Sequence, residues 1–234
     1  MPVTNPFNKV EHTRAFGARV VLEGQTFDEA KAYALSLQQQ EGLTWIHPFD
    51  DPDIMAGQGT IALEMLEDKP DLDTLVIPIG GGGLISGMAT AAKDHNRFIR
   101  VVGVEASMYA GMRARLEGRE PQTGGASIAE GIAVKDVGHL TEQVVRSLVD
   151  DVVLVEEEHI ERAITMFADI EKTVAEGAGA AGLAAMLAHP AKFAGRRVGL
   201  VLCGGNIDSR LLASVLTRAL VRDIISDGFL KLLG

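Results

Sequence analysis

The chain has 234 residues, 47% of them hydrophobic, enough to fill the core of one large domain, or of one domain and part of another. A formal net charge of −10 argues against nucleic-acid binding, which needs a basic face. The single cysteine, Cys203, excludes a disulfide framework and a cysteine-rich zinc site, and an unpaired thiol points to a reducing cytoplasm.

The opening MPVTNPFNKVEH has no basic stretch leading into an apolar core, so it does not read as a signal peptide. No uncharged apolar run reaches membrane-spanning length. Short β-branched runs alternate with amphipathic stretches, which predicts an α/β fold with a mostly parallel sheet flanked by helices. In chain order, Arg19–Leu22 reads as a strand, Phe27–Gln40 as a helix capped by Thr26, and Thr44–His47 as a short strand. Thr60–Leu66 reads as helical. Thr74–Ile79 is a strand that runs into Gly80, Gly81, Gly82 and Gly83, and a helix follows from Leu84 to His95. Arg100–Glu105 is a strand followed by a helix through Leu116. The Gly-, Pro- and polar-rich stretch Gly118–Gly138 predicts a long loop, and long loops in compact domains are often functional. Val152–Val155 is a strand within an acidic stretch, Asp150–Glu158, that reads as a solvated edge. His159–Lys172 and the Ala/Gly-rich Ala178–Ala188 are helices, Val198–Cys203 is a strand, and a last helix runs from Asp208 to Arg222.

The strongest chemical signal is the four-glycine turn between a buried strand and a helix. Glycines permit positive φ and close approach of backbone to a ligand. Their successive N–H groups, together with a helix N-terminus, form an anion site suited to a phosphate. No lysine follows in the P-loop position, and Ile85 or Ser86 stands where a dinucleotide turn needs its third glycine. Glu105, at the end of the next strand, favours the dinucleotide reading nonetheless. A cofactor monophosphate held by backbone amides alone is the third option. Cys203, before Gly204 and Gly205 at the end of a strand, either faces a ligand or is a small buried hydrophobe, and the residue by itself does not decide. Glu176 opens the small-residue helix, where it complements the helix dipole or approaches a cofactor. The scattered histidines match no zinc pattern, and no G-x-S-x-G turn is present.

The segments PIGGGGLISG, GVEAS, IAEGIAV, EKTVAEGAGAAGLAA and LCGGNID, in this order, resemble threonine dehydratase (threonine ammonia-lyase) with its serine dehydratase and serine racemase relatives. MPVTNPFNKVEHTRAFGARVVLEG, FDEAKAYA and IHPFDDPDIMAGQGTIALE fit the same family, so the resemblance reaches to about Arg222. It implies the fold type II pyridoxal-phosphate architecture, similar to the tryptophan synthase β chain. On that footing residues 1–47 would be a remnant of the small domain, 48–223 the large cofactor domain, and 224–234 an atypical tail. The resemblance implies that Gly80, Gly81, Gly82 and Gly83 hold the phosphate of pyridoxal 5′-phosphate. It sets Cys203 against the pyridine nitrogen, and Gly131 and Glu176 near the ring. The implied reaction removes the α-proton and the β-hydroxyl of threonine or serine and releases a 2-oxo acid and ammonia. A homo-oligomer is implied for the complete enzyme.

Glu105 matches a carboxylate that binds a divalent cation in the racemase-like branch. Gly111 stands where that branch has its second carboxylate, which leaves at most a weak site, because hard cations need several oxygen ligands. The family's Schiff-base lysine lies in a Ser-Phe-Lys-type segment that would precede the region matching Met1. None of Lys9, Lys31, Lys69, Lys93, Lys135, Lys172, Lys192 and Lys231 has the desolvated setting such a lysine needs. The expectation is therefore an N-terminally incomplete lyase, inactive in isolation. The alternative is a non-catalytic protein of the same descent that binds a phosphate ligand or a partner.

Overall fold

The computed structural model describes the backbone of residues 1–5 and 7–233, with side chains other than those of Asn8, Phe27, Asp28 and residues 223–233. The chain divides into two compact units, Met1–His47 and Pro48–Gly234.

The first unit carries α1 (Phe7–Ala15) and α2 (Phe27–Glu41). The Thr26 hydroxyl accepts from Glu29 N–H at 3.2 Å, and the Glu29 carboxylate accepts from Gln25 N–H, so orphan amides at the start of α2 are satisfied from both sides. Gly42, at φ 66°, ends the helix by donating its N–H to Gln38. The strands expected at Arg19–Leu22 and Thr44–His47 do not form. A β-branched run becomes a strand only against a ladder partner. The chain around Arg19–Leu22 instead makes isolated bonds to the opening residues, Glu23 N–H to Met1 and Val3 N–H to Gly24.

The second unit begins with α3 (Pro52–Asp68), capped by the Asp51 carboxylate with Pro52 at its first position; it starts at Pro52 rather than at Thr60. Next come β1 (Thr74–Pro78), α4 (Gly83–His95), β2 (Arg100–Ala106), α5 (Gly111–Leu116), a 3-10 turn at Glu130–Ile132, and α6 (His139–Leu148). They are followed by β3 (Asp151–Val155), α7 (Glu157–Asp169), α8 (Gly177–Ala188), α9 (Pro190–Phe193), β4 (Val198–Leu200) and α10 (Ser209–Leu233). The strands lie parallel in the order β3-β2-β1-β4. Helix α10 runs on past Arg222; the side chains of the expected tail, and Gly234, lie outside the described residues.

Side-chain alternation along β1 and β2 builds two cores. Leu75, Ile77, Ile79 and Val101 pack with Leu66, Ile85 and Met88 of α3 and α4. Val76, Val102 and Val104 pack on the other face with Ile160, Ala180, Ala181 and Ala184 of α7 and α8. Both faces are thus covered, which is why these parallel strands read as continuous apolar runs. The acidic stretch Asp150–Glu158 is a solvated edge only in part: β3 is the end strand of the sheet and Asp150, Glu156 and Glu158 are exposed, but its apolar residues are not. Val152, Val153 and Val155 are buried, Asp150 accepts from Val101 N–H and Lys93, and Glu157 accepts from Ser127 and from Ile128 N–H. Helix α10 is tied to α7 by Glu161, which takes both Arg218 (2.5 Å) and Arg222 (2.8 Å). Among the described residues no helix is long and apolar enough to cross a membrane.

Helices α3 and α4 approach backbone to backbone at Gly59 and Gly87. A Cβ on Gly87 would overlap the Met55 carbonyl and sit 2.7 Å from Gly59 N. Gly57, in the same α3, faces open space. Alanine gains about 1 kcal/mol of helix propensity over glycine. Overpacking against backbone costs about 3 kcal/mol. We therefore expect opposite signs in urea denaturation: Gly57→Ala stabilises by up to about 1 kcal/mol, and Gly87→Ala destabilises by about 2 kcal/mol. Equal effects at the two positions would refute the close crossing.

Candidate functional site

From β1 the chain crosses to β2 on one side, whereas β4 pairs on the other side of β1. The strand order reverses there, and in open α/β sheets the crevice beyond the strands' carboxyl ends at such a reversal is where ligands bind. Topology alone thus selects the ends of β1 and β4, which carry Gly80–Gly83 and Cys203.

The turn after β1 keeps its glycines for two reasons. Gly82 has φ 98°, a left-handed conformation that side chains strain to adopt, and it is the N-cap of α4. The surrounding protein also leaves no room for a Cβ. At Gly81 one would run into the Phe49 ring, at Gly82 it would lie 2.7 Å from Thr141, and at Gly83 it would lie 3.0 Å from the Phe49 backbone. The Gly81 carbonyl accepts from the Thr141 hydroxyl (2.7 Å) and from Gly138 N–H (3.1 Å). The Gly82 carbonyl accepts from Ser86 N–H, the first bond of α4. The N–H groups of Gly81, Gly82, Gly83 and Leu84 carry no hydrogen bond among the described residues. A row of unclaimed amides at a helix N-terminus is the donor set for an anion.

The remaining expected residues adjoin this turn. A Cβ on Gly80 would lie 3.3 Å from the Gly131 carbonyl, and one on Gly131 would lie 3.1 Å from Glu176 Oε1. Glu176 N–H donates to Gly204 at 3.0 Å, and a Cβ on Gly204 would strike the Glu176 carboxylate. The Cys203 sulfur lies 3.8 Å from the Ala178 carbonyl. Gly80, Gly131, Glu176 and Cys203 therefore form one contiguous patch. Although Cys203 is exposed as a residue, desolvation by the protein packed around its sulfur pushes the thiol pKa up, and the Glu176 carboxylate adds to the rise. It stays protonated near neutral pH, unlike an activated cysteine.

Glu105 is buried at the end of β2. Its Oε1 accepts from Met112 N–H at 2.7 Å and its Oε2 from Arg113 N–H at 2.9 Å, so the carboxylate closes the start of α5. Burial raises its pKa to about 7, against the pull of those two amides and of the Arg113 charge. Among the described residues no group of three His, Cys, Asp or Glu side chains could hold a metal ion. Several lysines of the second unit have partners of their own or face solvent. Lys93 pairs with Asp150 and Lys192 with Asp151, both at the amino edge of the sheet. Lys172 donates to Asp169, and Lys135 is exposed in the loop before α6.

Sequence reasoning missed Phe49, Asp50, Thr141 and the whole of α6. The signal for α6 was there: Thr141, Val145 and Leu148 recur at helical spacing within HLTEQVVRSL. No local cap announces it, because its N-cap is Gly138 and the capping carboxylate is Asp50.

Residues 1–204 match the family described as pyridoxal-phosphate dependent enzyme. The chain is 45% identical over 224 residues to an L-threonine ammonia-lyase of Thermotoga maritima, covering 95% of this chain and 56% of that protein. It is 41% identical over 229 residues to the catabolic L-threonine dehydratase TdcB of Staphylococcus aureus, covering 94% and 65%. It thus spans between about half and two-thirds of the length of these relatives. Among solved structures it superposes on the processed form of threonine deaminase isoform 2 from Solanum lycopersicum (TM-score 0.85, 36% identity, 94% of this chain and 62% of that one). It also superposes on maize serine racemase (TM-score 0.84, 33% identity, 95% and 69%).

The buried Glu105 makes stability depend on pH. Its folded pKa, about 7, lies above its ordinary value of 4.5, so the folded state binds the extra proton between the two. The contribution is full below pH 4.5, is lost as pH rises through about 7, and is constant above that. Urea denaturation at closely spaced pH values should show this decline in the wild type and a flattened profile for Glu105→Gln. A Gln profile with the wild-type slope would assign the titration to another group.

Proposed function

Since the chain belongs to the family of pyridoxal-phosphate-dependent enzymes, we propose that its second unit holds pyridoxal 5′-phosphate and serves the β-elimination of a small hydroxy amino acid, threonine or serine, to a 2-oxo acid and ammonia. One observation carries this reading: the turn Gly80–Gly83, with its unclaimed amides, opens α4 beside Cys203 at the reversal of strand order. The residues fit the group. Backbone N–H groups and a helix N-terminus suit a phosphate dianion, and a protonated thiol suits a ring nitrogen that is to be met without a full opposite charge. When bound, the cofactor withdraws electrons from the amino acid's α-carbon, which labilises the α-proton and the β-hydroxyl.

In this reading Gly81, Gly82 and Gly83 bind the phosphate through their amides, and α4 adds the field of its first turn. Cys203 stays neutral and tempers the electron demand of the ring. Glu176 and Gly131, in contact with each other, border the ring's place, and the missing side chain of Gly131 leaves room there. Glu105 serves α5. The names of the relatives support threonine ahead of serine.

The placement of the lysines favours a second reading. Lys93 and Lys192 are engaged at the opposite edge of the sheet, and Lys172 is turned back on Asp169. These 234 residues would then bind the phosphate ligand without turning over substrate, and elimination would need a lysine from outside them.

Two measurements test these readings. In fluorescence titrations the chain should bind pyridoxal phosphate more tightly than pyridoxal. Gly82→Ala should weaken the phosphate form by about five- to thirtyfold, because a side chain in the left-handed region costs about 1–2 kcal/mol. Equal affinities for the two ligands would overturn the cradle. With cofactor and threonine present, 2-oxo acid formation at the buffer rate supports the non-catalytic reading. Turnover clearly above that rate, abolished by Gly82→Ala, supports the lyase within these residues.

A further inference from the structure

The four-glycine turn has an arrangement behind it that the cofactor reading does not use. Thr141 is fully buried, and its hydroxyl faces the Gly81 carbonyl at 2.7 Å and the Gly138 carbonyl at 3.2 Å. Gly138 N–H donates to the same Gly81 oxygen at 3.1 Å. Two donors therefore converge on one carbonyl and occupy both of its lone pairs.

The orientation of that carbonyl decides where the next amide points. In a planar trans peptide the C=O and the following N–H point in opposite directions. Holding the Gly81 carbonyl toward α6 sends the Gly82 N–H away from α6. Between two glycines nothing steric forbids the reversed plane, because glycine takes either sign of φ about equally. Fixing such a peptide costs about 1–2 kcal/mol per residue in chain entropy. The Thr141 hydroxyl meets that cost before any ligand arrives.

Thr141 is itself held from a distance. Its helix begins at Gly138, which offers no capping side chain. The Asp50 carboxylate takes the cap's place and accepts from His139 N–H (3.0 Å), Leu140 N–H (2.9 Å) and Thr141 N–H (3.1 Å). The residue before it, Phe49, covers Gly81 and Gly83. The turn is thus gripped from one side by Phe49 and from behind by Thr141, and Asp50 joins the two.

We infer that Thr141, seated by Asp50, is a positioning residue that aims the amides of the four-glycine turn at the phosphate of the bound ligand. This rests on the phosphate-cradle reading and adds to it a residue that touches neither substrate nor cofactor.

The test compares pyridoxal phosphate with pyridoxal, which lacks the phosphate, on the wild-type chain and on three variants. Thr141→Val keeps the shape and removes the hydroxyl. Loss of one such hydrogen bond should weaken the phosphate form by about tenfold and leave pyridoxal within about twofold. Thr141→Ser keeps the hydroxyl and should return the phosphate form to within about threefold of wild type. Asp50→Asn keeps an oxygen facing α6 without the charge and should shift the same ratio in the same direction by less. An unchanged ratio in Thr141→Val overturns the inference while leaving the cradle intact. An equal loss for both ligands, not rescued by Thr141→Ser, overturns it as well, because it marks a residue needed only for packing. A wild-type chain without phosphate preference removes the cradle and this inference together.

Discussion

The second unit depends on β1. All five of its residues are buried, and it is hydrogen-bonded to β2 along one edge and to β4 along the other. Every backbone polar group of such a strand must find a partner, since a buried orphan costs about as much as a lost hydrogen bond. Pairing with β2 meets that requirement along the whole strand and on to Ile79, and pairing with β4 meets it from Thr74 to Val76. The glycines just beyond have amides with no sheet to join. They lie at the sheet's carboxyl edge, at the mouth of α4, with Gly81, Gly82 and Gly83 buried. The same pairing that completes the core therefore produces a stretch of backbone with donors to spare.

Packing and chemistry divide the faces of that turn between them. Where the glycine Cα atoms face protein, Phe49 and Thr141 stand so close that any side chain would collide. The amides of the same buried glycines carry no bond among the described residues. The glycines are thus demanded by the protein's own density as much as by any ligand. The neighbouring patch follows the same logic, because Gly131 and Gly204 both yield their space to the Glu176 side chain. Desolvation, with the Glu176 charge adding to it, keeps the Cys203 thiol from ionising, so the sulfur is a weak donor rather than a nucleophile.

What the sequence made legible was whatever short-range physics decides. The strands β1 and β2 were visible because burial on both faces makes them uniformly apolar, and α2 because Thr26 marks its start. The turn Gly80–Gly83 could be read because a run of glycines is informative wherever it stands. Arg19–Leu22 and Thr44–His47 misled because strand character resides in a partner that composition does not reveal. Val198–Cys203 was too long a strand, because after Leu200 the chain leaves β1 and bonds to the segment before α8 through Gly204 and Glu176. Glu105 looked like a ligand-binding carboxylate, and nothing nearby in sequence announced that Met112 and Arg113 would turn their amides to it. Asp50 and Thr141 were invisible for the same reason, since each matters only through a residue far along the chain.

That distance also sets the order in which the molecule can assemble. The cap on α6 joins residues 89 to 91 positions apart, and the hydroxyl bond from Thr141 to Gly81 spans 60. Closing such loops loses entropy before any contact rewards it, and contacts between distant positions form slowly. Helix α3, capped by its immediate neighbours, and the crossing of α3 with α4 need no such closure. By this argument the four-glycine turn is among the last parts of the second unit to acquire its final shape. A nascent chain, still short of Thr141, has the glycines but not yet the hydroxyl that holds the Gly81 carbonyl.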